Sequence, residues 1–179
     1  FVKSYMYLND SMGEALQNYV NKVLSNRPMN GLPRALAVVA TDLRSGEMMV
    51  FRSGDVGLAV RASSSVPGVF QPVRIGNREF VDGGLVSPVP AKVARDLGAT
   101  VVIAVDISSK PKDASVSSTI EVLLQTFIIM SASVAQYEID RAAVVIRPDV
   151  GNISGPDFQS KHLAILAGEK AAAGKMDEI

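Results

Sequence analysis

The sequence has no cysteine, no tryptophan and a single histidine, His162. Without thiols there is no disulfide framework, no thiolate metal site and no cysteine nucleophile. One histidine leaves only carboxylates for a metal, and these do not group in the sequence, so neither a metal nor a cofactor is expected. Excess charge of either sign is missing too. Lys and Arg total 18 against 18 Asp and Glu, and the cations form no basic stripe, which argues against nucleic acid as a partner. Long apolar runs are scarce: uninterrupted runs such as Phe127-Ile128-Ile129-Met130 are short, far below the ~18 residues that span a bilayer, so no transmembrane segment is expected. The first residues, Phe1-Val2-Lys3-Ser4, contain neither an initiator methionine nor a charged-then-apolar leader. The expectation is that something upstream has been removed; with no leader in view and no cysteine, a cytoplasmic location is favoured.

What is present suits a folded domain. A chain of 179 residues, 47% of them apolar, buries roughly 70% of its unfolded surface, so a single unit over 1–179 with one core is expected. Ser11-Met12-Gly13-Glu14 has the form of a capping box, and Leu16, Tyr19, Val20, Val23 and Leu24 recur at helical spacing, predicting a helix that ends before Pro28. Ala35 to Thr41 and Glu47 to Arg52 read as strands joined through Arg44-Ser45-Gly46. A second hairpin is predicted about Gly76-Asn77, both residues supplying positive φ, and its second arm runs into Val81-Asp82-Gly83-Gly84.

Ser87-Pro88 predicts the start of a helix that continues to Leu97, with Gly98 as its stop. Thr100 to Ile107 reads as a central parallel strand buried on both faces, and 108–117 as an exposed loop. Ser118-Thr119-Ile120-Glu121 is a further capping box, opening a helix to about Arg141 that is apolar around most of its girth and expected to be buried. A short strand at Ala143 to Ile146, a loop to Pro156 and a terminal helix from Asp157 complete the pattern. The alternation predicts an α/β fold with a mostly parallel central sheet flanked by helices.

Asp82 is the most informative residue for chemistry. It ends a predicted strand, where sites of open α/β sheets lie, and two glycines after it let backbone and substrate approach. An ordinary turn aspartate is the simpler alternative. Ser63-Ser64-Ser65 before Pro67 reads first as a helix end and turn. No Gly-x-Ser-x-Gly elbow is present, since Gly151-Asn152-Ile153-Ser154-Gly155 has its serine one place late. His162 lies among Leu163, Ile165 and Leu166 on a predicted helix, a setting of surface or packing rather than of a base. The glycine fingerprints of dinucleotide and P-loop sites are also missing.

Three stretches together resemble the patatin-like phospholipases, specifically their bacterial branch. They are Ala62-Ser63-Ser64-Ser65-Val66-Pro67-Gly68-Val69-Phe70, then Phe80-Val81-Asp82-Gly83-Gly84-Leu85-Val86-Ser87-Pro88-Val89-Pro90, then Leu97-Gly98-Ala99 leading to Val102-Ile103-Ala104-Val105-Asp106. Weaker likeness extends to Val39-Ala40-Thr41-Asp42-Leu43 and to Pro156-Asp157-Phe158. The resemblance implies lipid acyl-ester hydrolysis by a serine-aspartate dyad, with Asp82 as general base, Gly83 and Gly84 beside it, and Ala62, Ser63 and Pro67 shaping the site wall, their serines structural. It implies a lipid or other acyl-ester substrate and transient contact with a membrane interface, for which Val69-Phe70 or Met48-Met49 are candidates. The family's glycine loop and nucleophile elbow precede the matched stretches and do not occur here, so the chain is expected to be the part C-terminal to that elbow and inactive alone. Two alternatives stay open: a non-catalytic module that binds an acyl lipid or serves regulation, and an unrelated α/β domain in which Asp82-Gly83-Gly84 is only a turn.

Overall fold

A computed structural model describes residues 2–108, 118–150 and 160–179, with side chains from Ser11 onward. The predicted loop beyond Ser108, the Gly151–Gly155 stretch and Pro156-Asp157-Phe158 lie outside the described residues. The chain divides into two compact units, one comprising Phe1–Pro88 and Pro111–Ser131, the other Val89–Lys110 and Ala132–Ile179.

The first unit opens with α1, Val2–Val23. The helix starts well before Ser11, so Ser11 sits inside it and caps nothing, a correction to the capping-box reading. Its packed side is also rotated from the predicted stripe: Val20 and Leu24 reach the core while Tyr19 and Val23 are exposed. Buried Gly13 and half-buried Gln17 explain the rotation, because α1 meets the next helix through small and polar residues that hydropathy does not mark.

Strands β1 (Val38–Asp42) and β2 (Met48–Phe51) form the first predicted hairpin, with Val38 opposite Phe51. Helix α2, Val56–Ser63, follows; Asp55 caps it by accepting from the Leu58 amide. Asn21 joins this cap to α1, donating to both Asp55 oxygens and accepting from the Gly57 amide. Strands β3 (Val73–Ile75) and β4 (Arg78–Asp82) form the second hairpin. Only Gly76 has positive φ, at 62°, the pattern of a II′ turn; Asn77 does not share it, contrary to expectation.

The sheet order is β2-β1-β4-β3 and every pairing in it is antiparallel. The expected mostly parallel sheet is therefore wrong, although the α/β class holds. Among the described residues the only parallel pairing is β5 (Ile103–Val105) with β6 (Val144–Ile146), a separate two-stranded sheet in the second unit. A continuous apolar run reports cover on both faces of a strand and leaves strand direction open. Here α2 covers the antiparallel sheet at Ala40, Ala62, Val73 and Phe80, with Phe51 edge-on to Phe80 at 5.2 Å between ring centres. Ala40 and Ala62 are wholly inaccessible, and their small side chains let helix and sheet approach.

After Asp82 the chain makes one turn of 3₁₀ helix, Gly83–Leu85. Helix α3 spans only Ala91–Asp96. It starts later than Ser87-Pro88 implied, because Ser87 is buried and its amide is bonded to the Gly83 carbonyl. Gly98, at φ 98°, ends it as expected. Strand β5 leaves Ile103 and Val105 exposed, so the reading of Thr100 to Ile107 as buried on both faces is also corrected.

Helix α4 spans Thr119–Ile139 and opens with the predicted capping box, in which Ser118 and Glu121 satisfy each other's amides. It is not buried as a whole. Val122, Leu123, Ile129 and Met130 are exposed while Ser131, Ala135 and Ile139 are buried, a division that an all-round apolar sequence cannot forecast. Its length and composition suffice to cross a membrane, a possibility that short uninterrupted runs concealed; on its inner side, however, Ser131 and Glu138 are hydrogen-bonded to protein backbone. In the second unit Val89, Ala104, Ala135 and Ile139 form a core. Helix α5, Lys161–Ala173, has no fully buried residue, and His162, Leu163, Ile165 and Leu166 on it are all exposed.

Candidate active site

The aspartate singled out by the sequence is the last residue of β4. Three backbone-level restraints fix it. Its amide donates to the carbonyl of Ser65 at 3.0 Å, which joins the Ala62–Pro67 block to the Asp-Gly-Gly turn. The Thr41 hydroxyl donates to its carbonyl at 2.7 Å. Gly83, next in the chain, lies against β1 so closely that a Cβ there would stand 2.2 Å from the Val39 carbonyl oxygen, a separation only glycine avoids.

The Asp82 side chain turns back on the same loop. Oδ1 accepts from the Gly84 amide at 2.7 Å, while Oδ2 has no partner among the described residues. Burial raises the carboxyl above the ordinary aspartate value, against the opposing pull of the Gly84 amide. One oxygen is thus anchored and the other available, in surroundings that favour holding a proton. This is the arrangement a carboxylate needs in order to accept one.

The remaining predicted residues divide. Ala62 is fully buried under the sheet and Ser63 closes α2. Pro67 is half-buried in the turn that follows. Ser65, not Ser63, makes the contact with Asp82, and its own hydroxyl is spent on the Arg61 carbonyl at 2.8 Å, a structural role as expected of this block. His162 lies in the other unit, exposed on α5. Sequence reasoning passed over Thr41 and Ser131 as site residues; the only available signal was the weak family likeness of Val39 to Leu43. Among the described residues no group of three or more His, Asp or Glu side chains forms a metal site.

A second carboxylate, Asp42, ends β1 and does different work. It accepts from the amides of Ser45 and Arg44 and pairs with Arg78. The Ser45 amide first, and the Arg78 guanidinium after it, hold its carboxyl at about 2, a firmly ionised group that ties the two hairpins together.

The family model for patatin-like phospholipases matches residues 7–95, which include α2, the serine block and the whole Asp82 turn. The chain belongs to the patatin-like phospholipase family. An uncharacterised NTE family protein of Mycobacterium tuberculosis is 30% identical over 89% of this chain and 32% of its own length. A second NTE family protein of that organism is 29% identical over 72% of this chain and 38% of itself. Mouse patatin-like phospholipase domain-containing protein 7 is 32% identical over 55% of this chain and 7% of itself, so the likeness reaches beyond bacteria. This patatin-like chain spans about a third of the length of the mycobacterial proteins.

Proposed function

We propose that the protein is a lipid acyl-ester hydrolase in which Asp82 is the general base of a serine-aspartate dyad. The observation that carries the reading is the unequal state of the two Asp82 oxygens, Oδ1 held by the Gly84 amide and Oδ2 without a partner. A serine hydroxyl gives its proton to Oδ2 as its oxygen forms the new bond to the ester carbonyl carbon. The proton then passes to the departing alcohol as the ester C–O bond breaks, and water releases the acyl group by the same steps. A free aspartate, with a pKa near 3.9, is a poor base for a hydroxyl, so the upward pull of burial on Asp82 works in the direction the chemistry needs. The sequence has no Gly-x-Ser-x-Gly elbow, and the reading assigns the serine to a segment of the parent protein outside residues 1–179, which makes these residues alone inactive. Lipid substrates entail contact with an interface, and exposed Met48 is better suited to it than Met49, which packs on the core.

The test is Asp82→Asn in the intact protein, assayed on short-chain p-nitrophenyl esters and phospholipid vesicles. Hydrolysis should fall by about a thousandfold with the far-ultraviolet dichroism unchanged. Turnover within tenfold of the unsubstituted protein removes Asp82 from the mechanism.

A further inference from the structure

Helix α4 touches the Asp82 turn at two points that the dyad chemistry does not use. The Ser131 hydroxyl, on a side chain 9% exposed, donates to the Gly84 carbonyl at 2.9 Å. One helical turn earlier, Phe127 covers the same residue: a Cβ on Gly84 would lie 3.4 Å from its Cζ and 3.0 Å from Asp82 Oδ1. Residues four apart on a helix share one face, so both contacts come from the inner side of α4. Gly84 is therefore gripped at its carbonyl and over its Cα while its amide holds Asp82 Oδ1.

We propose that Ser131 and Phe127 are positioning residues for Asp82, acting through Gly84 to decide which carboxylate oxygen is anchored and which is left open. Glycine has many backbone conformations available, and only some point its amide at Oδ1. The hydroxyl of Ser131 selects among them by fixing the carbonyl on the other side of the residue. Phe127 closes the space into which Gly84 would otherwise swing. The catalytic consequence rests on the base role proposed above; the geometric one does not.

The test uses the intact protein labelled with ¹⁵N-glycine, following the Gly84 amide resonance against pH; Asp82→Asn, which has no carboxylate to titrate, identifies the response. Because the amide bond favours the ionised carboxylate, Ser131→Ala should move the Asp82 midpoint upward by about 0.5 to 1 unit and shrink the pH-dependent shift of the Gly84 amide. Ser131→Thr, which keeps the hydroxyl, should restore both, whereas a purely structural role for Ser131 would lower the melting temperature without moving the midpoint. Phe127→Leu should move the midpoint in the same direction by less, and serves if Ser131→Ala does not fold. Unchanged midpoints in the folded variants overturn the proposal. If instead the midpoints move while Asp82→Asn still hydrolyses esters, the positioning stands and the base assignment fails.

Discussion

The two units of this chain use the same kinds of residue to opposite ends. In the first, four antiparallel strands and α2 close over Ala40, Ala62, Val73 and Phe80, and the Asp82 turn is held by the Thr41 hydroxyl of β1, by the serine block and by α4. In the second, two short parallel strands are covered on the side of Ala104, Val144 and Ile146, while Val101, Ile103, Val105 and Ile107 stand exposed on alternate positions. The proposed base sits where restraint is greatest. A base that must keep one oxygen anchored and the other open needs an over-determined loop, and the first unit supplies one.

Breaking the tighter region should cost most. Phe80 is 2% exposed and edge-on to Phe51, so Phe80→Ala should lower the unfolding free energy by about 3 to 5 kcal/mol, measured by urea denaturation. A loss below 1 kcal/mol would show that the core under the Asp82 turn is not the keystone described.

A smaller effect separates the two strand-end carboxylates of that same unit. Asp82 is raised in the fold, so its contribution is complete below the ordinary aspartate value and is lost as pH climbs through the raised one. Asp42 is lowered to about 2, so its contribution is complete above the ordinary value and disappears as pH falls towards 2. In thermal melts between pH 3 and 8, Asp82→Asn should gain on the unsubstituted protein as pH rises, by a few degrees. Asp42→Asn should instead stay less stable throughout that range, the gap narrowing only towards its acid end. Parallel curves for the two variants would contradict the contrast. An Asp82 variant that is inactive yet more stable is the expected trade at the position of the proposed base.

The smallest effect belongs to the open face of the second unit. Val105 is 54% exposed, and Val105→Thr should change stability by no more than about 0.5 kcal/mol in the same urea titration. A larger loss would mean that this face is covered in solution and would weaken the distinction between the units.

Much of the first unit was legible because its signals are local. The Arg44-Ser45-Gly46 turn, Gly76 and the strand end at Asp82 announce themselves by residue type. Strand direction did not, since Ala35 to Thr41 and Thr100 to Ile107 carry nearly the same apolar composition, yet one lies in an antiparallel sheet and the other in a parallel pair. Helix α4 failed for a related reason: residues apolar on every side do not say which side is covered. Thr41, Ser65 and Ser131 stayed hidden because each meets the Asp82 turn through a main-chain atom. A backbone carbonyl leaves no mark on the sequence of its partner.

The bond between the Ser65 carbonyl and the Asp82 amide also divides the loop between α2 and β3 into a part tied to the aspartate and a part beyond that tie. Up to Ser65 any added or deleted residue would drag on the aspartate itself. At Gly68, where a side chain would meet nothing within 4 Å though the φ of 84° keeps the position for glycine, the chain runs through open space. Changes in loop length that spare the Ser65–Asp82 bond therefore belong after Pro67, and a library that keeps Gly68 and varies Val69 to Gln71 leaves that bond in place.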